Sequence, residues 1–232
     1  MARKQATSLT EIGDAAVSYI TRHGYRQTQM AGLAREIGVS AGTLYTYVEN
    51  KEALLHLATE FLIDPTPLAR AALPFGALPR AKLVTRFAET VQERAQWPYL
   101  KQAIVENRVD QKTLRTVGAE VYGLIDTYGR SILFLDRLAD ELPEFTPVHV
   151  DKVRGGFMGD LVTLLLNAGS THGIYGTAII ARAATEGISW SAMHRKREGL
   201  ARQPIGDLAE SDIRLLASHT FAAALTAALP DV

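Results

Sequence analysis

Residues 33–55 read LAREIGVSAGTLYTYVENKEALL, and their apolar side chains recur at the spacing of short helices. We predict one helix over about residues 29–37 and a second over residues 41–48. Residues 38–40 form the turn between them, in which Gly38 supplies backbone freedom. Two short helices joined by a tight turn with glycine are typical of a helix-turn-helix, which places its second helix in the major groove of DNA.

The second of these helices has side chains suited to that position. Ser40 can cap it, and its first residues are small enough to enter a groove: Ala41, Gly42 and Thr43. Hydroxyl and ammonium groups suited to phosphate oxygens follow, and we expect them to stand together on one exposed edge: Tyr45, Tyr47 and Lys51.

The same stretch resembles the DNA-binding domain of TetR-family (tetracycline-repressor-like) regulators, and the likeness runs from about Ile12 to Leu62. It implies an Ω-shaped homodimer of nine- or ten-helix chains, whose C-terminal domains bind a ligand and thereby alter the affinity for an operator. By this likeness, Thr43 and Thr46 face the groove. The predicted DNA-binding residues are Thr28, which we expect to cap the first helix of the motif, Ser40, Ala41, Gly42, Thr43, Tyr45, Thr46, Tyr47 and Lys51.

The second helix of the motif has few groups that can read a base with two hydrogen bonds. Ala41 offers only an apolar contact at a position where family members often carry a larger or charged side chain. We therefore expect specificity to depend on threonine hydroxyls and methyls, on DNA shape and on the basic arm at Arg3 and Lys4.

Outward from the motif, the apolar spacing predicts an all-α fold. One helix precedes the motif and ends near Gly24, and a fourth helix, capped by Asn50, covers residues 51–63. Prolines crowd residues 64–79, where we predict a hinge. Further helices are predicted over residues 80–96, 99–107, 111–138, 147–168, 176–186 and 211–229, and a polar loop over residues 194–202.

These elements predict two domains. The first is a helix-turn-helix DNA-binding domain over residues 1–52, with the helix at 51–63 as a bridge. The second is a larger helical domain for ligand binding and dimerisation over residues 53–232. Its long apolar helices at 147–168 and 211–229 are the predicted homodimer interface, since two copies of each would form a four-helix bundle.

Composition limits the alternatives. Apolar residues make up 47% of the chain and charged residues 22%, as in globular proteins. The absence of cysteine excludes disulfides and zinc–thiolate sites, and the six histidines show no metal-binding spacing, so we expect no metal or cofactor. Residues 1–51 carry six basic and four acidic side chains in a chain of zero net charge, a mild positive bias. No apolar run is long enough to span a membrane, and we expect a cytoplasmic protein.

Ligand-binding candidates are polar or aromatic groups on otherwise apolar helices. Asp160 is of most interest, because it lies between Phe157 and Leu161, where a carboxylate needs a partner. The predicted set is Trp97, Tyr99, Gln102, Tyr122, Asp126, Phe157, Asp160 and Asn167.

The predicted function is a non-enzymatic repressor that binds a near-palindromic double-stranded DNA operator and responds to a small-molecule effector. One alternative is a helix-turn-helix protein whose main output is a protein partner. The other is a serine hydrolase, since residues 38–42 match the G-x-S-x-G nucleophile motif. That motif needs a strand before its serine, whereas here a helix is predicted.

Overall fold

The computed structural model describes residues 7–197 and 208–230. Among them, the single strand-like contact is an isolated parallel bridge between Val48 and Phe75. The prediction of an all-α fold is confirmed. The α-helices are α1 (Leu9–His23), α2 (Met30–Glu36), α3 (Ala41–Tyr47), α4 (Lys51–Ile63), α5 (Arg80–Arg94), α6 (Pro98–Glu106), α7 (Gln111–Glu141), α8 (Gly156–Asn167), α9 (Gly173–Ser189), α10 (Arg195–Arg197) and α11 (Glu210–Thr226).

Two segments differ from the prediction. The helix expected over residues 147–168 begins as a wider π-helical stretch, Val148–Gly155, and becomes α-helical only at Gly156. The loop expected over residues 194–202 is wrong for its described part, because the chain continues from α9 through a π-helical turn, Trp190–His194, into α10. Residues 198–202 of that prediction, like Arg3 and Lys4, lie outside the described residues.

The chain divides into two compact units. Unit 1 comprises the residues up to 94 together with 130–152, and unit 2 comprises 95–129 and the residues from 153 onward. This division differs from the predicted boundary at residue 52, since α4 packs on α1 and α5 packs on α4 within the same unit. The DNA-binding domain at 1–52 stays a prediction about function.

In unit 1, α1 packs along α4. Ile12, Ala16 and Ile20 recur on the buried side of α1, as helical spacing requires. The helices approach closely at Gly13, where a Cβ atom would lie 2.9 Å from the Cβ of Phe61. α2 packs on α1, and α3 packs on α2.

In unit 2, α9 packs between α8 and α11. Leu161 and Leu165 of α8 and Phe221 of α11 are fully or almost fully buried. α11 also approaches α7 at Gly118, where a Cβ atom would lie 3.1 Å from the Cα of Ser218. The apolar face of α8 is therefore used within the protomer.

The proline-rich segment at residues 64–79 is an integral part of unit 1, although its prolines predict a hinge. A short 3-10 helix, Thr66–Arg70, follows α4 and packs against α1. The extended stretch that follows hydrogen-bonds to the end of α3, because prolines stop helices without preventing extended backbone from pairing.

Candidate nucleic-acid interface

The turn between α2 and α3 closes on the carbonyl groups of α2. The Val39 N–H donates to Ala34 O at 2.9 Å, and the Gly38 N–H donates to Arg35 O at 3.2 Å. Gly38 has a φ of 75°, and no atom lies within 4 Å of where its Cβ would be. Glycine is therefore needed there for its backbone conformation and not for space.

The start of α3 is capped and open. The Ser40 Oγ accepts a hydrogen bond from the Thr43 N–H at 3.0 Å and lies 2.8 Å from the Thr43 hydroxyl. The predicted cap is confirmed. Gly42 is exposed, and its nearest atom to an added Cβ is the Ser40 Oγ at 3.8 Å. Ala41 is half-buried. The first turn of α3 thus presents only small side chains to solvent.

The exposed side of α3 continues with Tyr45 and Thr46. Tyr45 is 49% exposed. The Thr46 hydroxyl donates to Thr43 O at 2.7 Å, so its lone pairs and methyl group remain for an outside partner. This side has hydroxyl groups and no charge, as the sequence predicted.

Tyr47 departs from the predicted edge. It is only 8% exposed, so the expectation that Tyr45, Tyr47 and Lys51 stand together on an exposed edge is wrong for Tyr47. The reason is helical spacing, since Tyr47 follows the fully buried Leu44 by three residues and shares its face. Its contact with DNA stays a prediction.

Lys51 is half-buried at the first position of α4, whose start Asn50 caps by accepting from the Ala53 N–H at 2.9 Å. The Lys51 Nζ donates to Arg26 O at 2.9 Å and lies 4.7 Å from the centre of the Tyr25 ring. An ammonium group has three protons, so this bond leaves two for a phosphate. The positive end of α4 lies beside it.

Thr28 is 2% exposed, and its hydroxyl donates to Gly24 O at 2.7 Å. The N-cap of α2 is Gln29, without a side-chain bond. The expectation that Thr28 caps α2 is wrong, and its burial argues against the predicted DNA contact. The hydroxyl instead closes the loop that precedes α2.

A charged cluster that was not predicted from the sequence lies next to Lys51, which contacts the ring of its member Tyr25. Arg80 donates to both carboxylate oxygens of Glu52, at 2.6 and 3.0 Å, and Tyr25 donates to Glu52 at 2.6 Å. The hydrogen bonds from Arg80 hold the pKa of Glu52 below its usual range. Burial, followed by the bond to Glu52, raises the pKa of Tyr25. No local pattern reveals this cluster, because Arg80 lies 28 residues from Glu52.

A second missed cluster fixes the loop after α1. The Glu141 carboxylate accepts from the Arg26 N–H at 2.6 Å and pairs with Arg137 at 3.3 Å. Gly24 lies directly beneath it, with a φ of 86°, and a Cβ there would lie 1.9 Å from the Glu141 Oε1. The end of α7 therefore holds the chain that leads into α2.

The environment of Ser40 differs from that of a catalytic nucleophile. The element before it is α2 and not a strand, and its Oγ is occupied as the helix cap. A nucleophile elbow needs a strand-to-helix turn that exposes the oxygen to a base. This geometry favours a helix-turn-helix over the hydrolase alternative.

Three of the predicted ligand-binding residues lie together in unit 2. The Trp97 Nε1–H donates to the Asp160 carboxylate at 2.6 Å, and the Phe157 ring meets the Trp97 ring edge-on at 5.7 Å. Asp160 thus has the partner that its place on an apolar helix required. Trp97 and Phe157 are buried.

Two more predicted ligand-binding residues belong to a separate polar network. The Tyr122 hydroxyl donates to Glu210 at 2.5 Å, and burial, followed by this bond, raises the pKa of Tyr122 to about 12. Lys196 pairs with Asp126 and, at 3.4 Å, with Glu210. Arg195 also binds Glu210, at 2.8 Å. These ion pairs connect α10 to α7 and to the start of α11.

The other three predicted ligand-binding residues, Tyr99, Gln102 and Asn167, are exposed. A cleft of about 390 Å³ lies elsewhere, between α9 and α11, and none of the eight lines it. Its walls include Trp190, Leu216 and Phe221. The eight candidates therefore do not form one pocket.

The apolar surface of α9 was also missed. Tyr175 is 85% exposed and Ile179 70%, with Ile174 beside them. On α11, Leu215 and Leu216 are each 55% exposed. The four-residue step from Tyr175 to Ile179 was available in the sequence, but the helix was predicted to begin only at residue 176.

Residues 7–197 and 208–230 contain no group of three or more histidine, aspartate or glutamate side chains placed to hold a metal ion. No helix among them has the length and apolar character that crossing a membrane requires.

Comparisons with known proteins agree with this geometry. Residues 12–58 match the family model of bacterial regulatory proteins of the tetR family. Over 45 residues, the chain is 47% identical to the fatty acid metabolism regulator protein of Bacillus subtilis (strain 168), an alignment that covers 19% of this chain and 23% of that protein. The chain thus spans less than a quarter of the curated relative that it matches.

A crystal structure described as a TetR-family transcriptional regulator from Mesorhizobium loti MAFF303099 is similar over 97% of this chain and 98% of that chain. The TM-score is 0.41 and the sequence identity is 14%.

Proposed function

We propose that this chain, whose residues 12–58 match the family model of tetR-family regulatory proteins, is a ligand-responsive repressor of that family that binds a double-stranded DNA operator as a homodimer in the cytoplasm. The observation that carries the proposal is the exposed face of α3. The side chains of its first turn, at Ala41 and Gly42, are small, and hydroxyl groups point outward beside them. Both features suit the major groove.

The proposed contacts divide into two groups. Ala41, Gly42, Thr43 and Thr46 face the bases, where hydroxyl and methyl groups read them. Ser40, Tyr45 and Lys51 bind phosphates, together with the hydroxyl end of Tyr47. We leave Thr28 out, because its hydroxyl is buried and bonded to Gly24.

We propose that dimerisation uses α9 and α11. We had predicted residues 147–168 and 211–229, but Phe157, Leu161 and Leu164 of α8 are buried within the protomer. Exposed apolar surface lies instead on α9 and α11, and two copies of this pair would form a four-helix bundle. The cleft beside Leu216 belongs to this face and would be covered by the partner.

The proposed effector site is in unit 2, at Trp97, Phe157 and Asp160. An effector with a hydrogen-bond donor would compete with the Trp97 N–H for the Asp160 carboxylate. It can shift operator binding only by its difference in affinity between the two states of the protein.

In-vitro selection of DNA sites with the purified full chain tests the proposal. We expect enrichment of a near-palindrome whose half-sites lie about one helical turn apart, roughly 34–36 Å, or somewhat more. Failure to enrich any sequence at moderate salt would refute sequence-specific DNA binding.

A further inference from the structure

The chain that follows α4 returns to the end of α3. We call residues 71–79 the return segment. The Phe75 N–H donates to Tyr47 O at 2.7 Å, and the Glu49 N–H donates to Phe75 O at 3.2 Å. These bonds form the parallel bridge between Val48 and Phe75. The return segment is thus paired with the residues at which α3 ends.

This pairing meets a need of a short helix. The last carbonyl groups of any helix lack partners within it, and α3 has only seven residues. Phe75 supplies the donor for the carbonyl of Tyr47, the last residue of α3. It therefore acts as a C-terminal cap that comes from a distant part of the chain.

A second anchor holds the return segment to α4. The His56 Nδ1 lies 2.8 Å from Gly76 O, and the His56 and Phe75 rings lie 4.7 Å apart. A carbonyl oxygen only accepts, so the His56 Nδ1–H is the donor in this hydrogen bond. The other ring nitrogen lies 3.4 Å from the Glu60 carboxylate, which Arg86 binds with two bonds of 2.7 Å.

We propose that Phe75 is a positioning residue for DNA recognition: the return segment fixes the end of α3, so that its first turn meets the bases at one angle. The proposal rests on the function proposed above, since α3 is a recognition helix only if the protein binds DNA. It adds a residue outside the helix-turn-helix to those that set specificity.

The expected effect is on specific binding. Base contacts depend on the orientation of the helix, whereas non-specific binding depends on charge. The return segment, AALPFGALP, carries no charged side chain. Loosening it should therefore lower the affinity for the operator and leave the affinity for unrelated DNA nearly unchanged.

The experiment compares variants of the full chain on the selected operator and on unrelated DNA. Phe75→Pro removes the N–H that donates to the Tyr47 carbonyl oxygen. Phe75→Ala keeps this N–H but removes the ring. Leu73→Ala is the control, because Leu73 is in the same segment and 49% exposed. We expect Phe75→Pro to weaken operator binding about tenfold, as the loss of one buried hydrogen bond suggests, and Phe75→Tyr to restore it.

Amide hydrogen exchange separates local loosening from general instability. In Phe75→Pro, we expect the Glu49 amide to exchange about tenfold faster. The Gly24 amide, which bonds to Ile20 O at 2.8 Å at the end of α1 and away from α3, should keep its rate. If Phe75→Pro fails to fold by circular dichroism, Phe75→Ala decides, with an expected loss of about threefold in operator binding.

The outcomes separate the two proposals. If the wild type shows no preference for any DNA sequence, the proposed function fails. If the wild type prefers its operator, and the Phe75 variants lose affinity for operator and unrelated DNA equally or not at all, the positioning role is overturned while the proposed function stands.

Discussion

Two surfaces of the molecule have opposite chemistry. The face of α3 has small residues and hydroxyl groups, and only Tyr45 on it is large and exposed. The face of α9 and α11 has large aliphatic and aromatic side chains in the open, among them Tyr175 and Ile179. A hydrated, charged partner such as DNA suits the first, and a second apolar protein surface suits the second. The two proposed contacts, with DNA and with a second protomer, therefore depend on different side chains. Each contact can be removed by its own substitution.

The largest expected effect comes from the apolar face. Ile179→Glu would bury a charge at the proposed interface, and we expect the dimer to dissociate to a monomer. Operator affinity should then fall by about 100-fold, because the two half-sites are no longer bound as a linked pair. Analytical ultracentrifugation and binding titrations measure the two effects.

Thr163→Glu is the matched control for that prediction. Thr163 is exposed on α8, the helix that we first placed in the interface. We expect Thr163→Glu to remain dimeric. A monomeric Thr163→Glu beside a dimeric Ile179→Glu would return the interface to α8.

The next largest effect is on DNA affinity and comes from Lys51, at the edge of the proposed DNA-binding surface. Lys51→Ala should weaken binding to all DNA sequences by about tenfold at low salt and reduce the salt slope by roughly one unit, the share of one phosphate contact. Loss of the bond to Arg26 alone would lower stability without changing the slope. Lys82→Ala, at an exposed lysine of α5, is the control, and an unchanged slope in Lys51→Ala would remove that residue from the interface.

A smaller effect is expected at the bases. Thr43→Ala removes a hydroxyl that lies 2.8 Å from the Ser40 Oγ at the open end of α3. We expect a change of about tenfold in preference at one operator position, the size of a single base contact. Repeating the site selection with the variant tests this, and identical selected sequences would exclude Thr43 from base reading.

The smallest effect is on stability. The pKa of Glu52 is lowered in the folded state, chiefly by the hydrogen bonds from Arg80. Its stabilisation is therefore present above the ordinary glutamate pKa of 4.5 and is lost as pH falls through the folded value. Because its side chain is 45% exposed, the contribution should be below about 1 kcal/mol.

Thermal unfolding of Glu52→Gln across pH checks this. The variant should unfold at a slightly lower temperature than the wild type at pH 7, and the difference should vanish in acid. Glu93→Gln, at an exposed glutamate of α5, should show no such trend. A difference that persists unchanged in acid would contradict the linkage.

Features that depend on residues close together in the sequence could be predicted, and features that depend on distant residues could not. Ser40 and Asn50 cap their helices as expected, because capping is decided within three residues. Tyr47 was predicted wrongly by residue type, although its three-residue distance from Leu44 places it on the buried side. The helical spacing of Tyr47 from Leu44 can be read from the sequence, and it is a better guide to burial than the residue type.

The remaining misses have long-range causes. Residues 64–79 contain enough proline to suggest a hinge, but a hydrogen bond from Phe75 to Tyr47 fixes them. The described part of the basic stretch after α9 is helical, and its Lys196 pairs with Asp126 and Glu210. Neither partner is close in sequence, so propensity and spacing do not reveal the contact.

The position of Gly24 has a consequence for genetics. A methyl group there would meet the Glu141 carboxylate at 1.9 Å, on a backbone that already favours glycine. A screen for alleles that no longer regulate should therefore recover substitutions at codon 24 together with those in α3. Measurements of protein abundance would separate the two classes, since the former would deplete the folded protein and the latter would leave it intact.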